Sequence, residues 1–173
     1  GGVVAHLAIQ FASYYGARVI ATAGSVARAD HARAAGAIEV FNRHDPEITS
    51  LIMDWTNGEG VDRIIELEFG GNLQSDADIL KAQGVIAAYS SSQIPEPVFP
   101  YYKIASKGGV IRIIQSFGFS NEIRRDVIAA VNQLCAENRL NVSIGKTYPL
   151  EEIAKAHVDV ETEKVVGNVV LSI

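Results

Sequence analysis

Two glycines open the chain in the run Gly1-Gly2-Val3-Val4-Ala5, ahead of apolar residues at helical spacing: Val4, Leu7, Ala8 and Phe11. Glycines at a strand-to-helix turn let backbone N–H groups and the positive end of the helix approach a pyrophosphate. Ala5 can take the place of the third glycine in such a fingerprint. The same five residues equally fit an ordinary helix behind a Gly-Gly pair. The other reactive side chains form no constellation. His6, His31, His44 and His157 lack ligand spacing, so no metal site is expected. Glu66 and Glu68 stand two apart, which on a strand places them on one face; they read as a polar strand rim rather than an acid–base pair. Cys135 falls on the apolar side of a helix and reads as core.

The elements that must position these residues alternate. Helices are predicted at about 2–15, 26–35, 45–56, 70–80, 121–138 and 150–162. Strands are predicted at 18–23, 39–41, 61–67, 85–89, 110–114, 143–148 and 168–173. Gly16 and Gly36 read as helix stops. Asp45-Pro46 reads as a helix opening, with Asp as N-cap and Pro at the first helical position. Pro95 to Pro100 must be an extended loop. Alternation at this spacing means parallel strands joined by helical crossovers, and near-continuous apolar strands mean a sheet covered on both faces. The expected class is α/β, doubly wound. The segment from about residue 142 breaks the rhythm and is expected in a different sheet.

Composition narrows the function. The 173 residues carry 15 Lys and Arg against 20 Asp and Glu, a formal charge of −5, so the basic face that nucleic acid requires is not expected. No apolar run approaches the ~20 residues of a membrane span, and no basic n-region opens the chain. A single cysteine permits no internal disulfide and points to a reducing compartment, expected to be the cytoplasm.

Taken in order, Gly2-Val3-Val4-Ala5-His6-Leu7-Ala8-Ile9-Gln10, Ala17-Arg18-Val19-Ile20-Ala21-Thr22-Ala23-Gly24-Ser25 and Gly60-Val61-Asp62-Arg63-Ile64-Ile65-Glu66 resemble one family. Tyr148-Pro149-Leu150-Glu151-Glu152-Ile153-Ala154-Lys155-Ala156-His157 and Gly167-Asn168-Val169-Val170-Leu171 extend the likeness to the end of the chain. The family is the medium-chain dehydrogenase/reductase superfamily, in its quinone oxidoreductase (zeta-crystallin-like) branch. The departures are Ala5 for the third glycine, Val3-Val4 inside the fingerprint, and Asn168 where a lysine is usual.

The resemblance implies a Rossmann-type, NADPH-binding part of a zinc-independent reductase acting on a quinone or an enone. It implies that residues 1–141 form a nucleotide-binding domain lacking its first strand, with a β-rich catalytic domain upstream. Residues 142–173 would return to that domain. By the same likeness Gly2, Val3 and Val4 contact the pyrophosphate. Gly24, Ser25 and Arg28 follow a strand end that carries no acid and would accept the 2′-phosphate of NADPH, with Arg43 close to the same phosphate or the adenine. Phe69 and Gly70 end one strand, Tyr89 and Ser90 the next, and both ends would line the cofactor cleft. No catalytic residue is expected within the chain. The segment Val110 to Ile114 should be an edge strand that pairs with its symmetry mate in a homodimer. The alternatives are a non-enzymatic NADPH-binding protein, structural or redox-sensing, and an enoyl-reductase module of a multidomain synthase.

Overall fold

Small side chains and short apolar runs set the packing of this chain, whose computed structural model describes residues 2–173. Gly1 of the opening pair lies outside the described residues. The chain falls into two compact units, one made of the residues up to Asp45 with Arg125–Ile173, the other of Pro46–Arg124.

In the first unit α1 (Val3–Tyr14), β1 (Ile20–Ala23), α2 (Val26–Ala34) and β2 (Glu39–Asn42) follow the predicted order. Gly16 and Gly36 end the two helices at φ +83° and +109°, left-handed backbone that glycine adopts without a Cβ clash. β1 and β2 pair in parallel, Ile20 opposite Glu39 through Ala23 opposite Asn42. Ile9, Ala23, Ala32, Ala35, Ala37 and Val40 form the core. Four of these six are alanines, which let helix and strand backbones approach closely. His6 and His31 stack with ring centroids 3.9 Å apart, joining α1 to α2. His6 Nδ1 lies 3.1 Å from the His31 carbonyl, while both Nε2 atoms are enclosed without a partner. Burial first, then His6 and Arg28, holds the His31 pKa below the usual histidine value.

The C-terminal segment forms its own parallel pair, β6 (Ile144–Pro149) with β7 (Asn168–Ser172), the separate sheet that the broken rhythm predicts. A 3-10 turn (Leu150–Glu152) and α7 (Ile153–Glu161) connect them. Asp159 accepts from the Tyr148 hydroxyl and from Lys146 Nζ, and these two hydrogen bonds hold its carboxyl below the usual range. They clamp α7 onto β6.

In the second unit α3 (Ile48–Trp55), β3 (Val61–Glu66), α4 (Phe69–Ile79), β4 (Leu80–Ala88), α5 (Tyr101–Ala105) and β5 (Val110–Ile113) build a parallel sheet ordered β3-β4-β5. Leu73, Ala77 and Ile104 are buried at its heart, with Phe69 and Ile111 against them. β5 is at the sheet edge, as the sequence predicts. The chain returns to the first unit within α6 (Asn121–Ala136).

Several expectations fail for physical reasons. α3 opens at Ile48 behind Glu47, which makes no side-chain capping bond, and Asp45-Pro46 lies in the turn before it. α5, five residues long, follows the proline loop and is too short to leave a periodic signal. Ile65 and Ile113 are 56% and 69% exposed, so the apolar strands are not covered on both faces. Cys135 is exposed rather than core. Leu134 takes the buried position on α6, and the next residue stands about 100° around the helix.

Candidate functional site

The opening of α1 leaves its first backbone N–H groups uncapped. Gly2 sits at its N-cap in extended backbone, no side chain caps the helix, and its first turn holds no acid. A helix begun this way leaves its first N–H groups pointing outward at the positive end of the dipole. A Cβ placed on Gly2 would meet nothing within 4 Å, so the approach is open. Gly2 and Val3 line a cleft of about 260 Å³ together with Arg28, Glu163, Val165 and Gly167. Val4 is exposed beside it. A larger hollow of about 350 Å³, bordered by Gln10, Tyr14 and Arg139, contains none of the candidate residues.

Arg28 faces this cleft. Its terminal nitrogen donates to the Glu163 carboxylate at 2.9 Å and to the Glu163 carbonyl at 3.2 Å. The Ser25 hydroxyl caps α2 by accepting from the Arg28 N–H at 3.3 Å. Gly24 is overlaid by a different cation. A Cβ there would stand 2.6 Å from Arg43 Nε and 3.0 Å from His44 Nε2, so any other residue would make these two side chains shift. The Arg43 N–H donates to the Ala23 carbonyl, which fixes the end of β2 beside the end of β1. Gly24, Ser25, Arg43 and His44 thus form one group at the strand ends, with no carboxylate paired to Arg43 among the described residues.

In the second unit the ends of β3 and β4 are tied together. Phe69 N–H donates to the Ser90 carbonyl at 3.0 Å, and Tyr89 N–H to the Glu66 carbonyl at 3.0 Å. The Gly70 N–H is taken by Ser91 Oγ at 2.8 Å. A Cβ on Gly70 would lie 2.0 Å from the Ile94 carbonyl oxygen, so the position must be glycine. Of the four candidates here, Phe69 packs into the core cluster while Tyr89 and Ser90 stay half-buried at the rim.

The two glutamates do not share a strand face, because β3 ends at Glu66 and Glu68 is already the N-cap of α4. Glu68 accepts from the N–H groups of Ser92 and Gln93 and from the Ser92 hydroxyl, at 3.1, 2.8 and 2.8 Å. Its carboxylate organises the loop after β4, and the Ser92 hydroxyl in particular holds its pKa below the usual value. Glu66 is buried and accepts from the Glu68 N–H at 2.5 Å and from Asn72 at 3.0 Å. Beneath it lies Asp76, only 5% exposed, with Oδ2 enclosed and unpartnered. Burial, then the Glu66 charge, pushes the Asp76 carboxyl up to about 8. Burial and Glu66 also raise the Tyr89 phenol. Sequence reasoning missed Asp76. An acid within the apolar spacing of α4, between Leu73 and Ala77, was the available signal.

A family model described as "Zinc-binding dehydrogenase" matches residues 3–136. A quinone oxidoreductase of Sus scrofa is 30% identical over 159 residues, covering 92% of this chain and 48% of that protein. A 2-haloacrylate reductase of a Burkholderia species is 25% identical over 174 residues, covering 98% of this chain and 52% of that protein. The crystal structure of an NAD-dependent alcohol dehydrogenase superposes with a TM-score of 0.85 at 28% identity, over 97% of this chain and 47% of that one. The chain spans about half the length of the curated relatives it matches.

Proposed function

Since the chain belongs to the zinc-binding dehydrogenase family, in the quinone oxidoreductase branch of the medium-chain dehydrogenases/reductases, we propose that it is the NADPH-binding part of a zinc-independent reductase of quinones or enones. The observation that carries the cofactor assignment is the Arg43 guanidinium lying over Gly24, at a strand end without an acid. An acid there would bond the ribose 2′-hydroxyl of NAD, whereas a cation accommodates the 2′-phosphate of NADP. The residues fit the group: the uncapped opening of α1 at Gly2, Val3 and Val4 would hold the pyrophosphate, and Gly24, Ser25 and Arg43 the phosphorylated ribose. The 2-haloacrylate reductase and quinone oxidoreductase relatives support a reductive reaction.

The nicotinamide supplies a hydride from its C4 when bound. The residues of this chain bind and orient, and none is assigned proton transfer. Glu68 fixes the loop that carries Ser91 and Ser92, so the rim after β4 is held in one shape before any ligand arrives. Among the described residues no three His, Cys, Asp or Glu side chains converge as metal ligands would.

The test is steady-state oxidation of NADPH by the intact protein with a panel of quinones and enones, with and without a chelator. Turnover unchanged by the chelator is expected. Tight NADPH binding without turnover on any acceptor would favour the non-enzymatic alternative. No helix of the described residues is long and apolar enough to cross a membrane.

The assembly follows from β5. Val110 and Ile113 are 49% and 69% exposed on an edge strand that offers unpaired N–H and C=O groups. Pairing with a second copy across a two-fold axis would cover both. Light scattering at micromolar concentration should give a dimer, and Ile113→Lys should give a monomer of unchanged secondary structure. A wild-type monomer removes this part of the reading.

A further inference from the structure

We propose that Glu163 is a built-in competitor for the dinucleotide: its carboxylate occupies the guanidinium of Arg28 in the cleft at the opening of α1 and so limits how tightly, and for how long, the cofactor's pyrophosphate is held. This deepens the proposed function and rests on it.

Three observations meet at this place. Arg28 and Glu163 are 135 residues apart in sequence, yet Arg28 donates to both the carboxylate and the carbonyl of Glu163, at 2.9 and 3.2 Å. Both side chains line the cleft that Gly2 and Val3 open, so the carboxylate stands where an entering phosphate would meet the cation. The Arg28 side chain is 20% exposed, the Glu163 side chain 69%: the cation is sunk in the cleft wall and the anion covers it from the solvent side.

Backbone conformation adds a further point. Glu163 holds φ +52°, left-handed geometry that glycine or asparagine adopts at lower cost. The residue that reaches Arg28 is thus a glutamate in a conformation that favours glycine or asparagine. The turn itself is secured by other bonds. Glu163 N–H donates to the Val160 carbonyl and Lys164 N–H to the Asp159 carbonyl, at 3.1 and 3.0 Å. The carboxylate can therefore leave Arg28 by side-chain rotation while the backbone stays in place.

A bound pyrophosphate must then displace the carboxylate or lie beside it. In the first case an ion pair is lost, and in the second like charges are brought together; either opposes binding. The result is a site that takes the dinucleotide with Arg28 and returns it with Glu163. Because the pyrophosphate is common to both nucleotides, the effect falls on NADPH and NADH alike, unlike that of Arg43.

The experiment titrates NADPH and NADH by nucleotide fluorescence into the wild-type protein, Glu163→Gln, Arg28→Ala and the double variant, with thermal melts alongside. Glu163→Gln keeps the side-chain shape and the carbonyl contact. It should tighten both nucleotides about five- to twenty-fold, with slower release in stopped flow, the range expected for one screened ion-pair competitor. In the Arg28→Ala background the same change should shift affinity less than twofold, and added salt should shrink the gain. If the wild type binds nucleotide and Glu163→Gln is unchanged or weaker at an unchanged melting temperature, the competitor role is overturned while the nucleotide reading stands. If Glu163→Gln both weakens binding and melts earlier, the pair is a structural tie and the role is likewise overturned. If neither protein binds either nucleotide, the nucleotide reading itself falls and takes this role with it.

Discussion

Arg43→Ala should weaken NADPH binding roughly ten- to a hundred-fold in the intact protein and leave NADH nearly unchanged. A hydrogen bond to a charged group contributes about 1.5–3 kcal/mol, and each ~1.4 kcal/mol is tenfold in affinity. The guanidinium is available for the purpose. It lies over Gly24 with His44 Nε2 at 3.4 Å as its side-chain neighbour, and no carboxylate is paired to it among the described residues. Arg28→Ala provides the contrast. Its guanidinium belongs to the cleft at α1 and is paired with Glu163, so it should weaken both nucleotides to a similar degree. The preference conferred by Arg43 should fall as salt rises, because an exposed phosphate–guanidinium contact is screened within about 10 Å at 0.1 M. Fluorescence titration of both nucleotides against both variants reads this directly. A wild type that binds NADH as tightly as NADPH, or an Arg43→Ala protein with unaltered preference, would remove the NADPH assignment and leave a general dinucleotide site.

Asp76→Asn should stabilise the protein, by an amount that grows with pH. In the fold, burial first and the Glu66 carboxylate second push the Asp76 carboxyl up to about 8, from an ordinary value of 3.8. Well below pH 3.8 the carboxyl is protonated in both folded and unfolded chains, and the group costs nothing. Between the two values the unfolded chain releases a proton that the native state keeps. Stability therefore falls with rising pH at up to ~1.4 kcal/mol per unit, and above about pH 8 the loss is complete. Asparagine is nearly isosteric and can donate to Glu66 as the protonated acid does, without any charge to bury. At pH 7 the gain should be on the order of 4 kcal/mol, and a chain of this size should melt roughly 8–16 °C later. Urea unfolding of both proteins from pH 4 to pH 8 tests it. Parallel curves would mean that Asp76 is ionised in the native state, and a variant less stable throughout would mean that the carboxylate makes a bond that the amide cannot replace.

Much of the fold is legible in local patterns. Ile20–Ala23 and Glu39–Asn42 are strands because short apolar runs bounded by turn residues have no other stable use. Gly16 and Gly36 end helices because only their backbones reach φ +83° and +109° without strain. The edge position of β5 agrees with what the family resemblance implied for Val110 to Ile114. Local signals misled where packing decides the outcome. Asp45-Pro46 has the chemistry of a helix start, yet α3 opens two residues beyond the proline. Cys135 and Leu134 are neighbours in sequence, but adjacent helical residues point in different directions and only Leu134 finds a cover.

The candidate site divides in the same way. The fold class follows from the order of strands and helices, and the family from the resemblance of its motifs taken in order. The pairing of Arg28 with Glu163, across 135 residues, does not. Nor does the placement of the Arg43 guanidinium over Gly24, or the acid Asp76 buried against Glu66. Each is a contact between side chains from different elements, and its strength depends on burial and distance. Linear sequence carries neither quantity. The sequence alone therefore determined that this chain has a Rossmann-type architecture, and only the tertiary structure decided which of its charges are spent on one another and which stand open to a ligand.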